Sequence, residues 1–271
     1  IVVLTVVLLA GASVALALDP IPKQSGFSGF IQPGAGYLSL ESNTVAKVLN
    51  FDLSDKRING LNDEPDGQST AIFTVPYKLA YTFAGTRTEV FLGTELGDML
   101  SFDTAQQLGV KQEIGSLGVL QAGLLFSGIV RVWKDPFKTG EDRDDTSRQN
   151  MGGQLVWDKI LGSNLEFEYS LRKVDIGDEK SGDSLASLTE NQRGRLDRNG
   201  TVHRASLGYG FKFGKHTLTP QITFFSEDLD GEAMTNTGGD LQLTYIYDGD
   251  PISLVLNGFV GQADYDKSNP V

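Results

Sequence analysis

The sequence predicts an all-β fold, namely an antiparallel up-and-down transmembrane β-barrel that follows an N-terminal signal peptide. Three observations lead to this prediction. The chain begins with a long apolar run, and it continues as segments whose apolar residues recur at every second position. The links between these segments alternate between short turns and long polar loops. Residues at every second position share one face of a β-strand, so each segment has one apolar and one polar face.

The first 17 residues predict a secretory signal peptide whose basic n-region is missing. The apolar run ends at Ala15-Leu16-Ala17, a small-x-small cleavage motif, so the mature chain is expected to begin at Leu18. The alternative is an N-terminal membrane anchor, because a helix of about 18 apolar residues is just long enough to span a bilayer. Residues 18–271 are then the barrel domain.

Eleven segments with strand periodicity follow the predicted signal peptide. They lie at 27–41, 70–83, 87–95, 102–114, 118–133, 151–160, 164–174, 201–213, 217–226, 238–247 and 251–263. Single-chain bacterial barrels have even strand numbers. We therefore expect about twelve strands in the complete protein, or ten or fourteen if a segment is misread. The chain is expected to be truncated at its C-terminal end, before a closing strand.

The links between the strands have two lengths. Short turns are predicted at 84–86, 115–117, 161–163, 214–216 and 248–250, and long charged loops at 42–69, 134–150, 175–200 and 227–237. Bacterial outer-membrane barrels have this asymmetry, and they carry aromatic girdles where the strands leave the membrane. Phe211, Phe213, Tyr245 and Tyr247 beside short turns fit such a girdle. The alternative is a soluble β-sandwich, whose apolar faces pack against each other.

Composition excludes several classes of function. The formal net charge is −12 and the chain has no Cys, so neither a nucleic-acid-binding surface nor a disulfide framework is predicted. His203 and Ser206 lie three positions apart, hence on opposite strand faces, and no catalytic arrangement is found. The acidic stretches at 63–67 and 228–232 lack the ligand pattern of a calcium loop, which leaves weak divalent binding as a hypothesis. We predict no enzyme activity and no cofactor.

Several stretches, in matching order over about residues 25–271, resemble a known family. They are RINGLN (57–62), FLGTELGDMLSFDTAQQLGV (91–110), WDKILGSNLEFEY (157–169), DIGDEKSGDSL (175–185), LDRNG (196–200) and EDLDGEAM (227–234). The family is that of uncharacterised outer-membrane β-barrels known as domain of unknown function 2860. The resemblance implies localisation in the outer membrane of a Gram-negative bacterium. It implies no activity and no functional residues.

Charged residues on the polar faces of the strands are the candidate lining of the barrel lumen. They are Lys78, Lys111, Glu113, Arg131, Glu166, Glu168, Arg172, Arg204 and Lys212. In one hypothesis they line a narrow, porin-like passive pore for small hydrophilic solutes. In the other they close the lumen of a structural barrel whose external loops bind a partner. Eight-stranded barrels are filled by side chains, whereas sixteen-stranded barrels enclose an open channel. A count of twelve strands therefore does not decide between the two hypotheses.

The expected partners follow from this predicted location. They are outer-membrane lipid, lipopolysaccharide and, during insertion, the barrel-assembly machinery. The long acidic loops keep the outer surface of such a protein solvated. The sequence leaves the oligomeric state and the identity of any solute open.

Overall fold

The computed structural model describes residues 2–10, 18, 20–40, 44–48, 51–61, 68–94, 105–127, 130–249 and 252–271. The predicted cleavage motif at 15–17, the acidic stretch at 63–67 and the first residues of the strand predicted at 102–114 lie outside these residues. The strands are β1 (Val2–Ala10), β2 (Gly26–Ile31), β3 (Gly34–Leu40), β4 (Val45–Val48), β5 (Phe51–Asp52), β6 (Gln68–Thr74), β7 (Tyr77–Phe83), β8 (Thr88–Thr94), β9 (Ala105–Glu113), β10 (Val119–Ser127), β11 (Val130–Trp133), β12 (Asp145–Asp158), β13 (Leu165–Ile176), β14 (Gly200–Tyr209), β15 (Phe211–Phe213), β16 (His216–Leu229), β17 (Asn236–Asp248) and β18 (Ile252–Tyr265).

The fold is an all-β, antiparallel, up-and-down sheet, as the sequence predicts. Within the described ranges the main sheet runs through twelve strands in the order β1-β18-β17-β16-β14-β13-β12-β10-β9-β8-β7-β2. From β7 to β18, the strands of this path stand in sequence order, with β11 and β15 left out. The smaller strands β4, β5, β11 and β15 join the margins of this sheet, and β3 pairs with β6 in a second sheet. In the part of the chain that the structure describes, no ladder joins β1 to β2.

The two ends of the main sheet differ in the length of their connections. At the short-turn end, residues 84–87 join β7 to β8, residues 114–118 join β9 to β10, and residues 214–215 join β15 to β16. At the long-loop end, residues 134–144 join β11 to β12 and residues 177–199 join β13 to β14. The predicted alternation of tight turns and long polar loops is therefore present in the fold.

Two of the predicted strands are interrupted at a proline. The segment at 27–41 divides into β2 and β3 beside Pro33, and the segment at 70–83 divides into β6 and β7 beside Pro76. Proline has no backbone N–H to donate to a neighbouring strand, so a ladder ends or changes partner there. As a result, β2 and β7 pair in the main sheet, whereas β3 and β6 pair with each other.

The strand β1 lies on residues for which the sequence predicts a signal peptide. All nine of its residues pair with β18, from Val2 opposite Val260 to Ala10 opposite Ile252. The signal peptide over residues 1–17 stays a prediction. A second difference concerns β12, which begins at Asp145 and not near residue 151. Residues 145–150 are polar on both faces, so no alternation reveals that they belong to a strand.

The described ranges contain one short α-helix, although helical periodicity is absent from the sequence. This helix, α1 (Glu190–Gly194), begins with a capping box in which Thr189 and Gln192 satisfy each other's backbone N–H groups. The cap explains a five-residue helix that no apolar stripe could stabilise. None of the helices in the described ranges has the length and apolar character needed to cross a membrane.

The two faces of the main sheet reverse the usual rule of burial. On one face large apolar side chains are exposed, such as Met151 at 65% and Phe224 at 64%. On the other face polar side chains are buried, such as Lys111 at 2% and Thr244 at 1% exposed. Lys is almost never fully buried in a water-soluble protein unless it is paired. We call the first the apolar face and the second the polar face.

Candidate functional site

The polar face is the candidate functional site, and strand register places its side chains. Directly opposite residues of an antiparallel pair point to the same side of a sheet. Glu89 of β8 lies opposite Lys111 of β9, which lies opposite Gln121 of β10. Farther along the same sheet, Glu168 of β13 lies opposite Ser206 of β14. Polar residues of many strands are thus brought together on one side of the sheet.

A buried group of three charges lies on strands β7, β8 and β9. The Glu89 carboxylate Oε1 lies 2.9 Å from Nζ of Lys78 and 3.5 Å from Nζ of Lys111. Both ammonium groups also lie over the Phe91 ring, 5.6 and 5.9 Å from its centroid. The side chains of Glu89 and Lys111 are each 3% exposed. Ion pairing and the aromatic ring together offset the loss of water around these charges.

A chain of side-chain amides continues from this charged group towards β13. Nε2 of Gln121 donates to Gln107 at 3.2 Å, and Nε2 of Gln107 donates to Gln154. Nε2 of Gln154 in turn donates to Oε1 of Glu168 at 2.8 Å. All residues predicted to line the lumen are charged, so the three glutamines are absent from that prediction. Alternation within a strand is the signal that could have found them, as for Gln107, which shares the parity of Lys111 on β9.

The polar face of β7 to β12, which we call the packed wall, is closed to solvent. Its buried side chains are Ala80, Thr82, Glu89, Phe91, Gln107, Lys111, Gln121, Leu125, Gln154, Val156 and Asp158. The side chains fill the space above the strands, and several of them, such as Gln107, Gln121 and Gln154, are joined by hydrogen bonds. This wall has the character of a protein interior, although most of its groups are polar.

The polar face of β13 to β18, which we call the open wall, is more accessible. Several of its polar side chains are half-buried or exposed, namely Glu166, Arg204, Lys212, Thr219, Gln221 and Gln242. Buried hydroxyl and amide pairs lie between them, such as Ser206 with Thr223 at 3.1 Å.

Arg204 illustrates the character of the open wall. Its side chain is 44% exposed and crosses the Phe225 ring at 5.5 Å from the centroid. It ends 3.2 Å from a carboxylate oxygen of Asp240, two strands away.

Eight of the nine predicted lining residues lie on the polar face by register. They are Lys78, Lys111, Glu113, Glu166, Glu168, Arg172, Arg204 and Lys212. Arg131 does not, and this corrects the sequence assignment. Phe126 lies opposite Met151, whereas Val130 lies opposite Arg148, so one extra residue is inserted between them. A one-residue bulge reverses the facing of all residues that follow it.

Because of this bulge, Arg131 points to the apolar side, where it forms an ion pair with Asp145. The two residues occupy neighbouring strands, β11 and β12, near the long-loop end. Residues 128–129 lie outside the described ranges.

The segment that precedes β2, residues 20–25, crosses the short-turn end of the packed wall. The guanidinium group of Arg87 donates to the carbonyl oxygens of Ile21 at 2.9 Å and Pro22 at 2.7 Å. Nε of Arg87 also donates to the Glu113 carboxylate at 2.9 Å. Ile21 is 3% exposed. We call residues 20–25 the N-terminal strap.

Aromatic side chains gather on the apolar face near the short turns. His216 stacks on Phe213 and Tyr245, with ring centroids 5.5 and 5.8 Å apart, and its Nδ1 forms a 2.7 Å hydrogen bond with the Tyr245 hydroxyl. Tyr247 lies 5.2 Å from the same imidazole ring. On the same face, near the β2 edge of the sheet, Tyr81 contacts two phenylalanine rings edge to face. We call these residues the aromatic belt.

The connections at the long-loop end form a folded cap with a small core of its own. Its apolar residues are Phe137, Leu185, Leu188, Leu196, Ala233 and Met234. The Asp135 carboxylate accepts hydrogen bonds from the backbone N–H groups of Phe137, Gly182 and Ser184 at 2.9–3.0 Å. These bonds tie the loop after β11 to the loop after β13.

A buried arginine ties the cap to the segment around β5. Arg143 is fully buried, and its guanidinium group lies 4.5 Å from the centroid of the Trp133 ring. It donates to the carbonyl oxygens of Pro136 at 3.3 Å and of Asp55. Burial lowers the pKa of Arg143 to about 10, so this group stays protonated at neutral pH.

Fold and site together define the class of this protein as an all-β, antiparallel, up-and-down sheet protein with a buried polar face and an exposed apolar face. The sequence profile of a family described as protein of unknown function (DUF2860) matches residues 26–271. The chain belongs to this family. A comparison with curated proteins and a comparison with solved structures each gave no match.

Proposed function

We propose that this protein is a β-barrel of the bacterial outer membrane and that it forms a passive, narrow pore for small hydrophilic solutes. The observation that carries the proposal is the reversed burial of the sheet, with Met151 and Phe224 exposed and Lys111 and Thr244 buried. In water this arrangement would expose a large apolar surface. In a bilayer the exposed apolar residues contact acyl chains.

The limits of the apolar face support a membrane crossing. At the short-turn end it finishes in the aromatic belt, whose amphipathic rings suit the interface between lipid and water. At the long-loop end the same strand faces become polar, at Lys173 of β13, Asp228 of β16 and Asp264 of β18. Strands of 12–14 residues such as β12, β13 and β18 exceed the roughly 9–11 residues that a crossing requires.

Closure of the barrel follows from the same proposal. An unpaired strand edge in hydrocarbon leaves N–H and C=O groups without partners, each at a cost of several kcal/mol. In this structure β1 occupies the edge of β18. If β1 is removed with the signal peptide, another strand must take this edge when the barrel closes in the membrane.

The open wall supplies the proposed path for solutes. Arg204 and Lys212 alternate there with Glu166 and the amide side chains of Gln221 and Gln242. Polar groups that are only partly buried keep water beside the wall, whereas the packed wall excludes it. A path bounded by one packed and one open wall is narrow, so it admits small solutes and excludes large ones.

Planar-bilayer recording of the refolded full-length protein tests this proposal. Defined conductance steps are expected. Their size should be well below that of sixteen-stranded porins, because only one wall is open. A folded, heat-modifiable barrel that gives no steps would contradict the pore.

A second candidate function is a closed barrel that presents its cap to a partner outside the cell. The packed wall, the N-terminal strap and the core of the cap favour this candidate, because each reduces the space for solutes. The recording described above decides between the two, since a silent but correctly folded barrel is the result that this second function predicts.

A further inference from the structure

A buried carboxylate at the short-turn end has an unsatisfied oxygen. Asp158, the last residue of β12, is 2% exposed. One of its oxygens, Oδ1, accepts a hydrogen bond from the backbone N–H of Lys159 at 2.7 Å. The other, Oδ2, has no hydrogen-bond partner among the described residues. A buried acceptor without a donor is destabilising, and more so when it carries charge.

The register places Asp158 in one row with the arginine that holds the N-terminal strap. The backbone N–H of Glu113 donates to the carbonyl oxygen of Arg87 at 3.0 Å. Glu113 lies opposite Val119, which lies opposite Asp158. Arg87 and Asp158 are therefore separated by three interstrand spacings, a distance of about 14 Å along the sheet.

The strap has the length to connect these two points. Arg87 binds the carbonyl oxygens of Ile21 and Pro22. The four residue steps from Pro22 back to Leu18 can span about 13–14 Å when extended. In agreement with this, the backbone N–H of Leu18 lies close enough to the Asp158 carboxylate to act on it as a hydrogen-bond donor.

We propose that Asp158 binds the α-ammonium group that cleavage after Ala17 creates on Leu18. The proposal rests on the predicted cleavage site and does not depend on the pore. In the uncleaved chain, Leu18 offers one amide N–H whose direction is fixed by the backbone. Cleavage replaces it with an ammonium group, whose three protons can rotate towards Oδ2 and whose charge neutralises the carboxylate.

The consequence is a strap that is anchored at both ends in the mature protein. Arg87 holds Ile21 and Pro22 on one side, and Asp158 holds Leu18 on the other. Lys212 is the competing partner, since its ammonium group also lies within electrostatic reach of Asp158, but its side chain is exposed. Cleavage thereby stabilises the folded barrel, because the uncleaved precursor offers Asp158 only the neutral backbone N–H of Leu18.

A double-mutant cycle tests the proposal. The mature protein, released from a fusion partner so that it begins at Leu18, is compared with a form that carries one additional Gly before Leu18. Both forms are made with Asp158 and with Asp158→Asn, and urea unfolding is followed in the same lipid vesicles. We expect the extra Gly to lower the folded-to-unfolded ratio by about tenfold or more when Asp158 is present. In the Asp158→Asn background the same Gly should lower it by less than about twofold.

Equal effects of the extra Gly in both backgrounds would overturn the proposal. Asp248→Asn is the matched control at the short-turn end, and it should leave the effect of the Gly unchanged. Lys212→Gln tests whether Lys212 is the partner of Asp158 instead. If Leu18 is the partner, this change should not alter the effect of the Gly either.

A second measurement covers the case in which the Asp158→Asn variant does not fold. The rate at which an amine-specific acylating reagent modifies Leu18 is compared in the folded and the urea-unfolded mature protein. An ion-paired ammonium group should react at least about tenfold more slowly in the folded state. An equal rate would overturn the proposal, as would N-terminal sequencing of the secreted protein that finds a first residue other than Leu18.

Discussion

The packed wall and the open wall are built from strands with the same two-residue alternation. They differ in how deeply their charged side chains are buried and in how these are paired. On the packed wall, Glu89 has a cation on each neighbouring strand, and the whole group is buried. On the open wall, Arg204 reaches Asp240 across an intervening strand and stays 44% exposed. The pattern of polar residues thus predicts which face they take. The size and charge of their neighbours decide whether water reaches them.

Glycines on the packed wall contribute to this difference. A Cβ at Gly109 would lie 2.7 Å from the Phe91 ring and 2.9 Å from the carbonyl oxygen of Ala122. A Cβ at Gly208 on the open wall would meet no atom closer than 3.8 Å. The absence of a side chain at Gly109 therefore lets the Phe91 ring lie against β9, below the two ammonium groups.

The largest difference in stability between the two walls is expected from Glu89→Gln and its matched change on the open wall. Glu89→Gln removes the carboxylate charge that pairs with the ammonium groups of Lys78 and Lys111 in a buried site. We expect a loss of about 3–5 kcal/mol in the free energy of unfolding, measured by urea titration in lipid vesicles. The matched change Asp240→Asn should cost about 1 kcal/mol or less, because water can solvate Arg204. Similar losses for both variants would remove the distinction between the walls.

Charges placed on the apolar face should not distinguish the walls. Leu124 of β10 and Leu243 of β17 are 56% and 49% exposed on that face. Leu124→Arg and Leu243→Arg should each lower the free energy of unfolding in vesicles by about 2–4 kcal/mol, as for an arginine at the bilayer midplane. If either arginine is tolerated without loss, that part of the face does not contact lipid.

Adding a methyl group to a glycine should also lower the free energy of unfolding more on the packed wall than on the open wall. The difference should be smaller than for the charge changes. Gly109→Ala is expected to cost about 1–3 kcal/mol, because Phe91 and the backbone of β10 must move. Gly208→Ala has room for the new group, and its free energy of unfolding should stay within about 0.5 kcal/mol of the original value. An open wall that is as sensitive as the packed wall would argue for a completely filled lumen.

The smallest effect on stability, and the most specific effect on transport, is expected from charge reversal at Arg204. Arg204→Glu should shift the reversal potential of the conducting protein under a salt gradient towards cation preference, because the side chain lies on the proposed path. Arg131→Glu makes the same change in charge on the opposite face and should leave the reversal potential unchanged. Equal shifts would show that the effect comes from net charge alone.

Much of the fold could be predicted from local patterns. Alternation located nearly all the long strands and assigned Lys78, Lys111 and Arg204 to the polar face. Together with the predicted short turns, it also assigned Phe213 and Tyr245 to the same region of the apolar face. These features depend only on strand periodicity and on the position of turns, which neighbouring residues determine.

The features that could not be predicted depend on distant residues or on single insertions. The bulge before Val130 changes the facing of Arg131 without any sign in the composition. The cap joins Asp135 to Gly182, 47 positions away. The contact of Arg87 with the strap uses backbone carbonyl groups, which every residue has and which no sequence pattern marks.

The proposed function requires that the apolar face contacts lipid while the open wall contacts water. The chain has no Cys, so Met151→Cys and Arg204→Cys each create a single labelling site. The most direct measurement is the rate at which a membrane-impermeant maleimide modifies each variant after reconstitution into vesicles. We predict that Arg204→Cys reacts readily and that Met151→Cys reacts only after the lipid is dissolved and the protein is unfolded. Rapid reaction of Met151→Cys in intact vesicles would contradict this account.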